Sequence, residues 1–130
     1  MSDAPDAFVY NAILERIVDG DTLDCTLDLG FDVRLHKQRV RLAGIDTPES
    51  RINIDRYPHR AKEKELGLLA KAKLQEWLVG EITIKSHGVD KYGRILGDVF
   101  CEKGNVADLL KQENLAVDYD GGTKTKVWGE

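Results

Sequence analysis

The sequence predicts one α+β domain, mainly β: five strands with two or so flanking helices, for which a five-stranded barrel of the OB type is the natural arrangement. Two patterns and the length carry that expectation. Five segments (8–18, 22–29, 33–42, 81–86 and 94–100) alternate in polarity or are rich in β-branched and aromatic residues, whereas 61–79 has a helical period. The 130 residues suffice for one domain and are too few for two ordinary ones. Strand count alone does not separate an OB barrel from other small barrels, although the OB fold tolerates a helix between its third and fourth strands. No internal repeat, low-complexity stretch or Pro/Gly-rich linker marks a boundary. The chain 1–130 therefore reads as a single unit, with a core at about 8–119 and a tail at 120–130.

The elements follow in order. F-V-Y-N-A-I-L-E-R-I-V (8–18) reads as a strand, and Asp19-Gly20 is a hairpin-turn dipeptide. Leu23, Cys25, Leu27 and Leu29 alternate with Thr22, Asp24, Thr26 and Asp28, which predicts a strand with one buried face. Gly30-Phe31-Asp32 reads as the next turn. In 33–42, Val33 and Leu35 have one parity and Val40 and Leu42 the other, so a bulge near His36–Gln38 is expected. Arg39 and Arg41 then share the face opposite Val40 and Leu42. The stretch from Gly44 to Arg60, with Pro48 and Pro58, reads as a long loop, a kind of segment that often carries function. In 61–79, Leu66, Leu69/Ala70, Leu74 and Trp77/Leu78 recur at helical steps, and Gly80 supplies a stop. Strands at 81–86 and 94–100 flank a turn at Gly88–Gly93. Asn105 suits the cap of a short helix carrying Val106, Leu109 and Leu110, with Asp108 in its first turn. Leu115–Tyr119 reads as a last strand, and Trp128 as the anchor of the tail.

Composition excludes several classes. With 42% apolar and 32% charged residues the chain is not globally disordered. No apolar stretch approaches the roughly 18 residues that a membrane span needs. The start, M-S-D-A-P-D-A-F, has acids where a signal peptide carries bases, and no apolar region follows. A cytoplasm, the chain's own or a host's, is therefore its expected place of action. Cys25 and Cys101 form no C-x-x-C, so a disulfide framework and a zinc site both lack ligands, and each cysteine reads as a small buried apolar side chain. A net charge of −4 argues against gripping nucleic acid by bulk positive charge. The distribution is uneven: residues 34–60 hold seven Arg/Lys and three acids, whereas 1–28 hold seven acids and one base. A basic middle suits a local anion site. His36, His59 and His87 have no partner spacing and read as surface residues.

Three pieces carry the chemistry: V-D-G-D-T (18–22), R-L-A-G-I-D-T-P-E (41–49) and D-K-Y-G-R (90–94). Each alone is most simply a turn or a loop start. Together they supply what phosphodiester hydrolysis requires. Asp21 and Asp46 offer two carboxylates to a hard divalent ion. Arg41 and Arg94 offer permanently charged forks for phosphate oxygens. Glu49 offers a carboxylate to orient or deprotonate a water. Asp21, Asp46 and Glu49 against two arginines sum to −1, which repels a phosphodiester; a divalent cation turns that to +1.

These pieces, in this order and on this strand pattern, resemble the thermonuclease family, the staphylococcal-nuclease-like domains, from about Tyr10 to Tyr119. The resemblance implies an OB barrel with flanking helices. It implies a calcium-dependent nuclease that cleaves DNA and RNA with little sequence preference at the phosphorus–5′-oxygen bond, leaving 3′-phosphates. By position, Asp21, Asp46 and the Thr47 backbone carbonyl would bind the calcium, with Asp19 close by. Oxygen ligands alone also admit magnesium or manganese. Glu49 would act on the water as base or as positioner. Arg41 and Arg94 would hold the phosphate and stabilise its developing charge, the largest catalytic term. Lys91 and Tyr92 match positions that contact phosphates, and Tyr119 is either the aromatic that stacks on a base or an ordinary core or surface tyrosine.

The segment S-R-I-N-I-D-R-Y-P-H-R (50–60) departs from the family's flexible loop. Its Arg51, Arg56, His59 and Arg60 either touch substrate or merely solvate the loop, and solvation is the simpler reading. The expected partner is DNA or RNA, single-stranded or frayed, with no membrane, and the expected state is a monomer. A silent OB-type binding module for nucleic acid or protein is the alternative; its signature is loss of the acids and arginines, all of which are present here. A plain single-strand binder ranks last, because only nine aromatic residues exist to serve both core and groove.

Overall fold

The alternation in the sequence becomes a closed barrel. The structure, a computed structural model, describes residues 7–122, 124 and 126–128. β1 (Val9–Asp19), β2 (Thr22–Asp28) and β3 (Arg34–Leu42) form an antiparallel meander. After β4 (Ile45–Asp46) and a 3-10 turn at Pro58–Arg60 comes α1 (Ala61–Trp77), then β5 (Ile82–Val89) and β6 (Ile95–Cys101). β5 pairs antiparallel with β1 and with β6, and β6 runs parallel to β3, which closes five strands into a mixed barrel. β7 (Gly104–Asn105) turns back to pair antiparallel with the end of β6, α2 (Val106–Gln112) follows, and β8 (Val117–Asp118) pairs with β4 outside the barrel.

The buried parity of β2 is the expected one, since Leu23, Cys25 and Leu27 are all buried. The opposite face is less open than alternation predicts. Thr22 and Thr26 are also buried, and the Thr26 hydroxyl donates to Glu15 at 2.9 Å. The bulge in β3 lies where the parity switches: Cys25 faces Gln38 but Leu27 faces Leu35, and Lys37 takes a φ of 54°. Beyond it Val40 and Leu42 enter the core. Burial pushes the Cys25 thiol up to about 12, so it packs as an apolar group, whereas Cys101 is only half-buried. Asn105 caps α2 as expected, its side chain accepting the Ala107 N–H at 2.9 Å.

Three expectations need correction. The buried stripe of α1 is Gly67, Ala70, Leu74 and Trp77, while Leu69 is exposed, because the helix crosses the barrel on the edge that carries its small residues. β5 continues to Val89, so the following turn is a tight one at Asp90–Gly93 rather than one starting at Gly88. The strand expected at Leu115–Tyr119 shrinks to β8: the closed barrel offers it no free edge, and it pairs with two residues inside the predicted loop. The tail positions 123, 125, 129 and 130 lie outside the described residues, and Trp128 is half-buried.

Gly67 sets how closely α1 approaches the barrel. A Cβ there would lie 2.4 Å from the carbonyl carbon and oxygen of Glu49 and 2.6 Å from the Ser50 nitrogen. Backbone cannot yield as a flexible side chain does. In an exposed helix Gly→Ala gains up to about 1 kcal/mol. Here Gly67→Ala is expected instead to cost about 1–3 kcal/mol by overpacking, read as a lower denaturant midpoint with an unchanged slope.

Candidate active site

Short turns and strand ends bring the polar groups to one end of the barrel. Asp21 lies in the β1–β2 turn, nearly buried, and its backbone carbonyl accepts the Leu42 N–H at 2.8 Å, which ties it to the end of β3. Arg41, also nearly buried, donates from Nη1 to the Leu42 carbonyl at 2.6 Å and from Nη2 to the Ile45 carbonyl at 2.8 Å. Its Nη2 is 3.4 Å from Asp21 Oδ2. Two of its five N–H donors are thus spent on carbonyls, which fixes the plane of the fork. β4 then delivers Asp46 and, after it, Thr47, both buried. Glu49 follows with its side chain about half exposed. Asp19 Oδ1 accepts from Ser50 Oγ at 2.6 Å and Ser50 N at 3.0 Å, so the chain just past Glu49 is fastened to the end of β1.

The D-K-Y-G-R turn is organised by its first residue. Asp90 Oδ1 accepts the N–H groups of Tyr92 and Arg94, each at 2.9 Å, and Oδ2 accepts Arg94 Nε at 2.8 Å. Burial opposes ionisation of Asp90, but the two backbone N–H groups and the Arg94 guanidinium outweigh it and hold the carboxyl below its ordinary range. Arg94 is therefore aimed from Nε, and among the described residues its terminal nitrogens have no hydrogen-bond partner. The Arg94 and Lys91 cations each lie 5.3 Å from the centre of the exposed Tyr92 ring.

One cavity of about 1090 Å³ is lined by Asp21, Arg41, Glu49, Lys91, Tyr92, Arg94 and Tyr119, seven of the nine residues singled out from the sequence. Asp46 lines an adjoining pocket that shares Tyr119 and Lys124 with the first, and Thr47 lines neither. The histidines are exposed, as expected, and line neither. The large cavity carries five acids (Asp19, Asp21, Glu49, Asp90, Asp120) against five bases (Arg41, Arg51, Lys91, Arg94, Lys124). Asp46 next door tips that balance negative.

The acids fit a cation. Asp46 Oδ1 is shielded from solvent and has no hydrogen-bond partner among the described residues. Its neighbour is the Lys124 ammonium at 3.0 Å, a contact of charge rather than an aligned hydrogen bond. Burial works against the charge on Lys124, yet Asp46 and Asp21 outweigh it, and the Lys124 pKa lies above its ordinary value. Asp46, with a shielded oxygen lacking a hydrogen-bond partner and a lysine of the tail beside it, thus fits a cation. Among the described residues, however, no group of three or more acidic, histidine or cysteine side chains is gathered closely enough to hold a metal ion by itself.

The sequence profile described as "Staphylococcal nuclease homologue" matches residues 39–127, well over half of the chain. The chain belongs to the staphylococcal nuclease family. The matched span holds Arg41, Asp46, Thr47, Glu49, Lys91, Tyr92, Arg94 and Tyr119 and leaves out Asp21. Among relatives, the "Micrococcal nuclease" of Shigella flexneri is 33% identical over 80% of this chain and 55% of its own length. The "SPbeta prophage-derived endonuclease YokF" of Bacillus subtilis is 34% identical over 83% of this chain and 34% of its own. The "Staphylococcal-like nuclease CAN1" of Arabidopsis thaliana is 31% identical over 75% of this chain and 28% of its own. The chain of this family member thus spans about half or less of the length of these relatives.

Four residues beyond the nine singled out from the sequence adjoin the cavity of this staphylococcal nuclease homologue. Two of them, Arg51 and Arg60, come from the basic loop whose charges the sequence left between substrate contact and solvation. Asp90 aims Arg94, and its four-residue spacing to that arginine inside a turn was the available signal. Arg51 and Lys124 line the cavity, and nothing in their local sequence distinguishes them from solvated charges. Arg60 reaches Glu49 Oε2 at 3.2 Å. The depressed carboxyl of Asp90 gives a pH signature. Its contribution to stability is complete above the unfolded value near 3.9 and is lost as pH falls through the lower folded value. Asp90→Asn is expected to lower the denaturant midpoint at pH 7, and the gap to the unaltered protein to narrow below about pH 4.

Proposed function

We propose that this domain is a metal-dependent phosphodiesterase that hydrolyses DNA and/or RNA with little sequence preference, leaving 3′-phosphates by cleavage of the P–O5′ bond. The observation that supports it most is the single cavity that gathers two arginine forks and Glu49 beside two shielded carboxylates. Family membership supports the nuclease reading independently.

Asp21, Asp46 and the Thr47 backbone carbonyl are the groups to hold the divalent ion, calcium by the family likeness, with magnesium and manganese sharing its taste for oxygen. Such an ion would polarise the phosphate and lower the pKa of a bound water. The remaining work falls to the chain. Arg41, locked by its two carbonyl contacts, presents a fixed donor to an equatorial phosphate oxygen as charge builds there. Arg94, aimed by Asp90, supplies the second fork. A guanidinium keeps its proton, so Arg94 acts as an electrostatic clamp rather than as the acid for the leaving oxygen. Glu49 orients or deprotonates the attacking water. Lys91 and Tyr92 take neighbouring phosphates, and Tyr119 offers a ring to a base, an arrangement suited to a monomer acting on a single or frayed strand.

The deciding experiment incubates the protein with single-stranded DNA and with RNA, in calcium, magnesium or chelator, beside an Arg41→Ala/Glu49→Ala control. Metal-dependent cleavage to 3′-phosphates, absent from the control, is the expected result. A folded sample that cleaves neither substrate in any metal overturns the reading in favour of a silent binding module. Arg41→Ala or Arg94→Ala is expected to lower turnover about 10²–10³-fold, and Arg94→Lys not to restore it, because a point charge lacks the fork. Lys124→Gln is expected to tighten calcium binding about fivefold by calorimetry, the worth of a half-exposed ion pair that the cation no longer displaces.

A further inference from the structure

The loop at 50–60 ends in an arrangement aimed back at Glu49. Glu63, on the first turn of α1, has a carboxylate that is mostly shielded. It accepts the Glu49 backbone N–H on Oε2 at 3.2 Å. It also accepts Arg60, whose Nη2 lies 3.1 Å from both carboxylate oxygens and whose Nε lies 3.3 Å from Oε1. The same Nη2 reaches Glu49 Oε2 at 3.2 Å. Glu49 is therefore held at two points by one ion pair: its main chain by Glu63, its carboxylate by Arg60. Behind it, Gly67 lets α1 touch the Glu49 carbonyl.

We propose that the Arg60–Glu63 pair is a positioning device for Glu49, with Arg60 a positioning residue for the hydrolytic step. The inference rests on the reading of Glu49 as the group that acts on water. A glutamate side chain has three torsions, and this one is about half exposed, so nothing in its own packing selects one rotamer. Activating a water needs placement to within about 0.5 Å, and an error of about 1 Å costs on the order of 10²-fold in rate. Arg60 supplies that selection. Its firmer partner is Glu63, which keeps the guanidinium in place while one N–H guides Glu49. Without Glu63 the arginine would be one more mobile cation of a basic loop; without Arg60 the Glu49 carboxylate would lose its only charged hydrogen-bond donor among the described residues.

The test compares Arg60→Gln and Arg60→Lys in the otherwise unaltered chain and in a Glu49→Ala background, using single-turnover kinetics on single-stranded DNA and thermal melts of each variant. Arg60→Gln is expected to lower kcat about tenfold or more with KM near its original value, Arg60→Lys to recover part of the loss, and neither to matter once Glu49 is alanine. An unchanged kcat overturns the proposal, as does an equal loss in the Glu49→Ala background. A rise in KM alone also overturns it and makes Arg60 a phosphate contact. A second readout needs no activity: side-chain NMR relaxation of Glu49, expected to show greater mobility in Arg60→Gln at an unchanged melting temperature. If the unaltered protein cleaves nothing, the nuclease reading has failed; unchanged Glu49 mobility in the variant then overturns the positioning device on its own evidence.

Discussion

Three backbone pairs, Val40 with Ile95, Arg41 with Leu96 and Leu42 with Gly97, carry the parallel contact between β3 and β6 that turns an open sheet into a barrel. The contact is short, but it leaves β3 no open edge at the end where the site lies, and it fixes the register of everything inserted between the two strands. Gly97 permits it: a Cβ there would sit 3.0 Å from Ile84 Cγ2 and 3.3 Å from the Lys85 carbonyl oxygen. Because β6 starts beside Val40, Arg94 precedes the strand at the same end of the barrel as Arg41. Two cations more than fifty residues apart in sequence become neighbours through a register set by apolar residues.

Bringing like charges together has an electrostatic cost that grows as water is excluded. The structure offsets it locally. Arg41 faces Asp21, Arg94 faces Asp90, and Arg60 faces Glu63. For Arg94 and Arg60 the carboxylate also fixes where the guanidinium lies, whereas for Arg41 the Leu42 and Ile45 carbonyls do so. The arrangement keeps three strongly charged forks in place without a net field that would drive them apart, and it leaves N–H groups over for an anionic ligand.

Much of this was legible in the sequence, for physical reasons that differ by element. The alternation in 22–29 marked β2, because a half-buried strand must repeat with a period of two. The parity switch in 33–42 located the bulge, because Val33/Leu35 and Val40/Leu42 cannot share a face in unbroken register. The acids and arginines of the three motifs were legible as a chemical set, and the barrel brings most of them to one cavity. What was hidden depends on tertiary context. Leu69 and Ala70 are equally apolar to a periodicity argument, and only the crossing of α1 over the barrel decides that Ala70 is the buried one. Two-residue strands such as β4 and β8 carry no periodic signal at all. Lys124 looks like a solvated charge because its partner Asp46 lies far away along the chain, and Arg60 because its neighbour Glu63 reads as an ordinary surface pair that gives no sign of Glu49.

The ammonium of Lys124 beside Asp46 has a consequence for how the domain comes into being. A shielded carboxylate such as that of Asp46 resists folding unless something positive joins it. In small metal-dependent domains that positive charge arrives with the ion, and the unloaded chain stays unfolded. Here the chain carries a placeholder of its own. If the site takes a divalent ion as proposed, acquiring shape and acquiring metal become separate events: the polypeptide completes its barrel with Lys124 in place and is loaded afterwards.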